Sequence, residues 1–126
     1  MLIKNLNDAE EFVAGDGSLL RQLIHPEKTN VACRYSLCYA RVKPGQLTKP
    51  HRLRSTEVYY ILEGEGVMTI NGDSQPVQPG QTIYIPPLAT QHIENTGPSD
   101  LLFLCIVDPA WRREDETIVQ RHRGRR

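Results

Sequence analysis

The sequence predicts an all-β domain, and three observations carry that prediction. Nine glycines and nine prolines punctuate the 126 residues at short intervals. The segments between them are rich in Val, Ile, Thr and Tyr, which suit a pleated, half-buried surface. No stretch before residue 110 sustains the apolar period of an amphipathic helix.

The strands follow in chain order. A first is expected near residues 19–24, and a second near 35–43, where Pro44-Gly45 ends it. Strands near 57–63 and 66–71 are separated by Glu63-Gly64. Asn71-Gly72 then turns the chain into a strand near 75–78, and this is the most specific signal of all. A type I′ hairpin needs positive φ at both central residues, and Asn-Gly supplies it. Pro79-Gly80 leads to a strand near 82–86, followed by one near 91–96 that ends at Thr96-Gly97. The apolar run Leu101 to Val107 makes a last strand near 101–108.

At 14.3 kDa the chain is long enough for one domain with a real core and too short for two ordinary ones. Fifteen basic and fifteen acidic side chains cancel, so no whole-chain positive field favours a nucleic acid. The cancellation is uneven. Residues 1–108 carry 9 basic and 12 acidic groups, and residues 109–126 carry 6 and 3. Residues 1–17 hold no apolar run of signal-peptide length, and the longest apolar stretch falls short of a membrane span. A cytoplasmic protein without membrane contact is the expectation. Cys33, Cys38 and Cys105 are too few, and too unevenly spaced, for a disulfide framework or a cysteine zinc site. Cys105 reads as a small buried hydrophobe.

Periodicity does not choose between sandwich and barrel, but motif spacing does. Gly45, His51, Leu53, Glu57 and Gly64 stand at the spacing of a glycine, two histidines, a glutamate and a closing glycine. In this respect the stretch resembles the first cupin motif. Gly80, Pro86, Gln91 and Asn95 likewise resemble the second, which runs glycine, proline, glycine, histidine, asparagine. Residues 65–79 separate the two motifs, as in small single-domain cupins, and with flanking strands the resemblance covers roughly residues 35–108. It implies a conical β-barrel, jelly-roll-like, over residues 1–110 with an N-terminal strand arm. A basic C-terminal tail over 111–126 would follow.

The resemblance also implies a site. In that family two histidines and a glutamate of the first motif meet a histidine of the second on one metal. The corresponding positions here are His51, Leu53, Glu57 and Gln91, so two imidazoles are missing. Strand parity turns His51, Glu57 and Gln91 toward the barrel axis and His92 away from it. The implied cofactor is a divalent metal, Mn, Fe, Zn or Ni, on His51, Glu57 and Gln91. The alternative is a metal-free hydrogen-bonded cluster of the same three. Tyr59 shares the inward face, and with His51 it is the candidate for proton transfer.

Lys49, Arg52 and Arg54 surround His51 and would draw a small anionic metabolite, although long basic side chains on an exposed strand are usually a solvated face. Three functions compete. One is a metal enzyme of isomerase, lyase or dioxygenase type; another is a non-catalytic ligand-binding or sensor barrel. The third is metal-free acid/base catalysis by His51 and Tyr59, which needs two groups on opposite sides of a substrate. His25, before Pro26, is expected to bond to local backbone, Trp111 to cap the open end of the core, and the terminal Arg-rich segment to be a solubilising tail. Alternation along residues 58–62 leaves Val58, Tyr60 and Leu62 as an outward apolar row, which predicts a homodimer.

Overall fold

A computed structural model describes residues 1–119, and the Arg-rich segment expected to be a solubilising tail lies outside the described residues. Two antiparallel sheets face each other. The strands are β1 (Glu11–Val13), β2 (Leu19–Ile24), β3 (Ser36–Val42), β4 (His51–Leu53), β5 (Thr56–Glu63) and β6 (Gly66–Ile70). They continue with β7 (Asp73–Val77), β8 (Thr82–Ile85), β9 (Gln91–Asn95), β10 (Leu101–Asp108) and β11 (Glu116–Ile118). The first sheet runs β1-β2-β3-β10-β5-β8 and the second β11-β4-β9-β6-β7.

All eight strands expected from the sequence are present, within a few residues at each end. Three are additional, namely β1, β4 and β11. Each spans three residues, too few to display an alternation, and each exists through its partner. β1 pairs with β2, and β11 with β4, which in turn meets β9 at His51 and Gln91. β11 therefore brings part of the segment read as tail into the second sheet. Arg41 fastens β1 with two hydrogen bonds to the Glu11 carboxylate, at 3.0 and 2.7 Å.

Strand parity decides what faces the core. β10 turns Leu101, Phe103, Cys105 and Val107 inward, and β3 turns in Ser36, Cys38, Ala40 and Val42. Register then sorts these residues into rows. Ala40, Phe103 and Ile61 lie side by side, next come Cys38, Cys105 and Tyr59, and then Ser36, Val107 and Glu57. Thus one end of the barrel is hydrocarbon and the other mixes apolar wall with thiol, phenol and carboxylate. Asn95 closes the apolar end: its amide donates to Val42 and Ser99 carbonyls, each at 2.8 Å, and its oxygen accepts from Gly97 N–H at 2.9 Å.

The Asn71-Gly72 turn has the expected geometry, φ 50° and 83°. Gly64 has φ 94°, and a Cβ there would lie 2.7 Å from the Asp100 carbonyl oxygen and 2.9 Å from Leu101 Cα. It is therefore glycine both for its conformation and for the approach of β10. Leu88 stands where the second motif has its inner glycine and keeps the left-handed φ, 67°, with its side chain 61% exposed. These two positions should respond in opposite directions. Gly64→Ala is expected to cost about 2–4 kcal/mol, combining backbone strain with a backbone clash. Leu88→Gly should gain about 0.5–1 kcal/mol, because relief of the left-handed strain outweighs the added chain entropy. Urea denaturation midpoints check both.

Candidate functional site

The mixed end of the barrel encloses a cavity of about 190 Å³. Leu20, Ala40, Leu53, Phe103 and Trp111 supply much of its apolar wall, and Asp16, Lys28, His51, Glu57 and Glu116 its ionisable groups. Trp111 is placed at the mouth from two sides. Ser36 Oγ accepts its backbone N–H at 3.0 Å, and its carbonyl meets His25 Nε2 at 3.0 Å. His25 Nδ1 accepts the backbone N–H groups of Glu27 and Lys28, the local bonding expected of it, so Nε2 carries the proton given to Trp111.

His51 is buried on β4. Its Nδ1 lies 2.9 Å from the Lys49 carbonyl, which accepts only a donor, so in the neutral ring Nε2 is the basic nitrogen. That nitrogen faces Asp16 Oδ2 across 3.8 Å. Asp16 sits in the β1–β2 turn, where Oδ1 accepts both the N–H and the hydroxyl of Ser18, at 3.0 and 2.6 Å. Its backbone carbonyl accepts Lys49 N–H at 2.7 Å, tying this turn to the start of β4.

Between the two sheets a buried chain of hydrogen bonds forms. Tyr59 OH donates to Gln91 Oε1 at 3.2 Å, and Gln91 Nε2 donates to Glu57 Oε1 at 2.7 Å. Cys105 Sγ donates to Glu57 Oε2 at 3.0 Å. Burial drives the pKa values here. It raises the Glu57 carboxyl against the opposing effects of the Cys105 and Gln91 hydrogen bonds and of His51. Burial also lifts the Tyr59 hydroxyl and the Cys105 thiol well above their ordinary values, with the Glu57 charge adding to both. Cys38, beside Cys105 on β3, is pushed up to about 11 by burial.

The structure thus brings His51, Glu57 and Tyr59 onto one cavity wall system, His51 from the second sheet and the other two from the first. Gln91, expected to point into the same pocket, stands behind it instead and reaches it through Glu57 and Tyr59. Lys49, Arg52 and Arg54 are exposed, since they alternate with inward His51 and Leu53. His92 occupies the other parity of β9.

Three contributors escaped the sequence reading. Cys105 was visible in principle, because β10 parity places it level with Tyr59. Asp16 and Glu116 gave no local signal, as they arrive from a turn and from a three-residue strand far apart in the chain.

The donor set does not fit a divalent metal of the kind the motif positions imply. Leu53 replaces one imidazole, and the Gln91 oxygen is occupied by Tyr59 while its nitrogen faces Glu57. Among the described residues no three His, Cys, Asp or Glu side chains group as a metal site.

Residues 38–107 match the family model described as the cupin domain. An uncharacterized protein of Methanocaldococcus jannaschii is 40% identical over 110 residues, 86% of this chain and 87% of its own length. The oxalate-binding protein of Thermotoga maritima is 39% identical over 72 residues, 55% of this chain and 60% of that protein. Among solved structures, the polyketide cyclase RemF from Streptomyces resistomycificus aligns with a TM-score of 0.81 at 22% identity, covering 97% of this chain and 87% of that one.

The buried carboxyl has a measurable signature. A raised Glu57 pKa means that the folded state holds this proton more tightly than the unfolded chain does. Stability therefore falls as pH rises from the free glutamate value, about 4.3, through the folded value. Glu57→Gln keeps the shape and removes the titration. Wild type should lose stability relative to this variant as the pH is raised through that window. Thermal melts of both proteins across pH check the difference.

Proposed function

Given that the chain belongs to the cupin-domain family, we propose that its barrel is a metal-independent acid–base site for a small organic molecule held between the two sheets. The observation that supports this reading is the placement of His51 and Glu57. They come from opposing sheets and face one largely apolar cavity. Acid–base catalysis needs proton carriers on two sides of a substrate. His51 Nε2 serves as the base, and Asp16 beside it stabilises the imidazolium formed when it takes a proton. Glu57 exchanges a proton on the opposite wall, its carboxyl held in place by Gln91 and Cys105. Tyr59 donates its own proton to Gln91 and so acts as a positioning residue.

The oxalate-binding relative takes a dianion by name. Here three carboxyl side chains and one ammonium, that of Lys28, line the cavity, and the cations near His51 lie outside it, so this reading does not extend an anionic ligand to the present chain. Proton transfer can be read without knowing the natural substrate. Small ketones and aldehydes incubated with the protein in heavy water should gain deuterium at the carbon next to the carbonyl, as followed by proton magnetic resonance. His51→Ala should slow this by about 10²–10⁴-fold. Treatment with a chelator should leave it unchanged. A rate restored only by added divalent metal would return the site to metal chemistry, and no exchange with any carbonyl compound would leave a binding barrel without turnover.

We further propose that two copies pair through the outer face of the first sheet. Tyr60, Tyr84 and Ile106 are 43%, 59% and 40% exposed, and register sets Val58 between the last two. This contiguous apolar patch is what an isolated barrel would leave wet. Light scattering should give twice the 14.3 kDa chain mass. Tyr60→Glu should return the monomer, and a dimer unaffected by it would place the interface elsewhere.

A further inference from the structure

We infer that the cavity takes a small organic ammonium ion, its head group lying against Asp16, Glu116 and His51 and its hydrocarbon body against the aromatic wall. The inference rests on reading this cavity as the substrate site. The charge of the wall is the first support. Asp16, Glu57 and Glu116 line it, against His51 and Lys28. A ligand carboxylate would meet like charge, whereas a cation would neutralise it.

The second support is His51. Its side chain is only 3% exposed, yet among the described residues no hydrogen bond reaches Nε2. The nearest charged group is Asp16 Oδ2 at 3.8 Å, and with the ring neutral both atoms are acceptors. Both atoms open onto the cavity, where one donor placed between them would satisfy both. An N–H of an ammonium group meets that need, and its remaining N–H groups face Glu116. Gly15 leaves room for this carboxylate, since a Cβ there would approach Glu116 Oε1 to 3.2 Å.

The third support is at the mouth. Trp111 lines the cavity as an apolar surface for the ligand body, and Lys28 Nζ, 5.4 Å from the centre of its ring, already fills the cation position there, so the ligand head group belongs with the carboxylates. Tyr59 and Phe103, packed with ring centres 4.5 Å apart, provide a further aromatic wall for the ligand body.

Three probes with one hydrocarbon body separate the possibilities: cyclohexylammonium, cyclohexanol and cyclohexanecarboxylate, titrated calorimetrically into the full chain. The ammonium should bind at least tenfold tighter than the alcohol, and the carboxylate weakest of all. Glu116→Gln should cut the ammonium-to-alcohol affinity ratio at least fivefold, and Asp16→Asn should do the same. Because Asp16 also organises its own turn, Glu116→Gln is the decisive variant, with its melting temperature recorded alongside. Equal binding of all three probes, preference for the carboxylate, or ammonium selectivity untouched by Glu116→Gln would each overturn the inference. Its failure is distinct from failure of the acid–base reading. Deuterium exchange without ammonium selectivity removes only the ligand class, and selectivity without exchange removes only the catalysis.

Discussion

A carboxyl group buried between two sheets must be satisfied by hydrogen bonds, and much of this barrel is arranged around that requirement at Glu57. The bond from Gln91 crosses from the second sheet to the first, and the bond from Tyr59 to Gln91 crosses back. Cys105 completes the carboxyl from the neighbouring strand. Removing any one partner would leave a buried acceptor or donor uncompensated, at a cost of about 1–3 kcal/mol. The same chain marks where hydrocarbon packing ends. Beyond it lie Ile61 and Leu101, and on its other side lies the cavity. Fold and site therefore share one set of contacts.

Legibility in the sequence followed the range of each interaction. Turn chemistry is local, so Asn71-Gly72 and Pro79-Gly80 separated β6, β7 and β8 correctly. Parity is also local. It placed His51 inward, His92 on the other face of β9 and Arg52 outside. Short strands are different, because β4 and β11 owe their conformation to each other and to β9, and no pattern within three residues records that. Parity also gives direction without depth. Gln91 does face inward, but whether a side chain reaches the cavity or is stopped by one in front depends on the opposing sheet.

The position of Leu88 illustrates a second limit. A motif glycine marks a backbone conformation, and here that conformation persists at φ 67° although the residue has changed. Its N–H donates to the Leu53 carbonyl at 2.8 Å, a bond that holds the loop before β9 against the end of β4. The loop geometry is thus held by tertiary bonding, and the residue bears the strain. Asn95 shows the complementary case. It stands at a motif position next to the candidate ligands in the sequence, yet its amide is used entirely in closing the far end of the barrel.

The electrostatic character of the cavity follows from two side chains. A bound divalent ion would balance carboxylates by its own charge. With Leu53 at one ligand position and Gln91 at another, Glu57 is instead balanced by dipoles, from an amide and a thiol, and burial raises its pKa. The turn holding Asp16 and the strand holding Glu116 then add acidic groups, and burial raises the Glu116 carboxyl as well, offset in part by His51. Neutral dipoles satisfy Glu57 locally, while Asp16 and Glu116 add carboxyl groups to a wall that also carries the Lys28 ammonium. A substitution that reads as the loss of a metal ligand therefore also changes which ligand charge the barrel can accept, from anions bridged by an ion to molecules that bring positive charge or hydrogen-bond donors of their own.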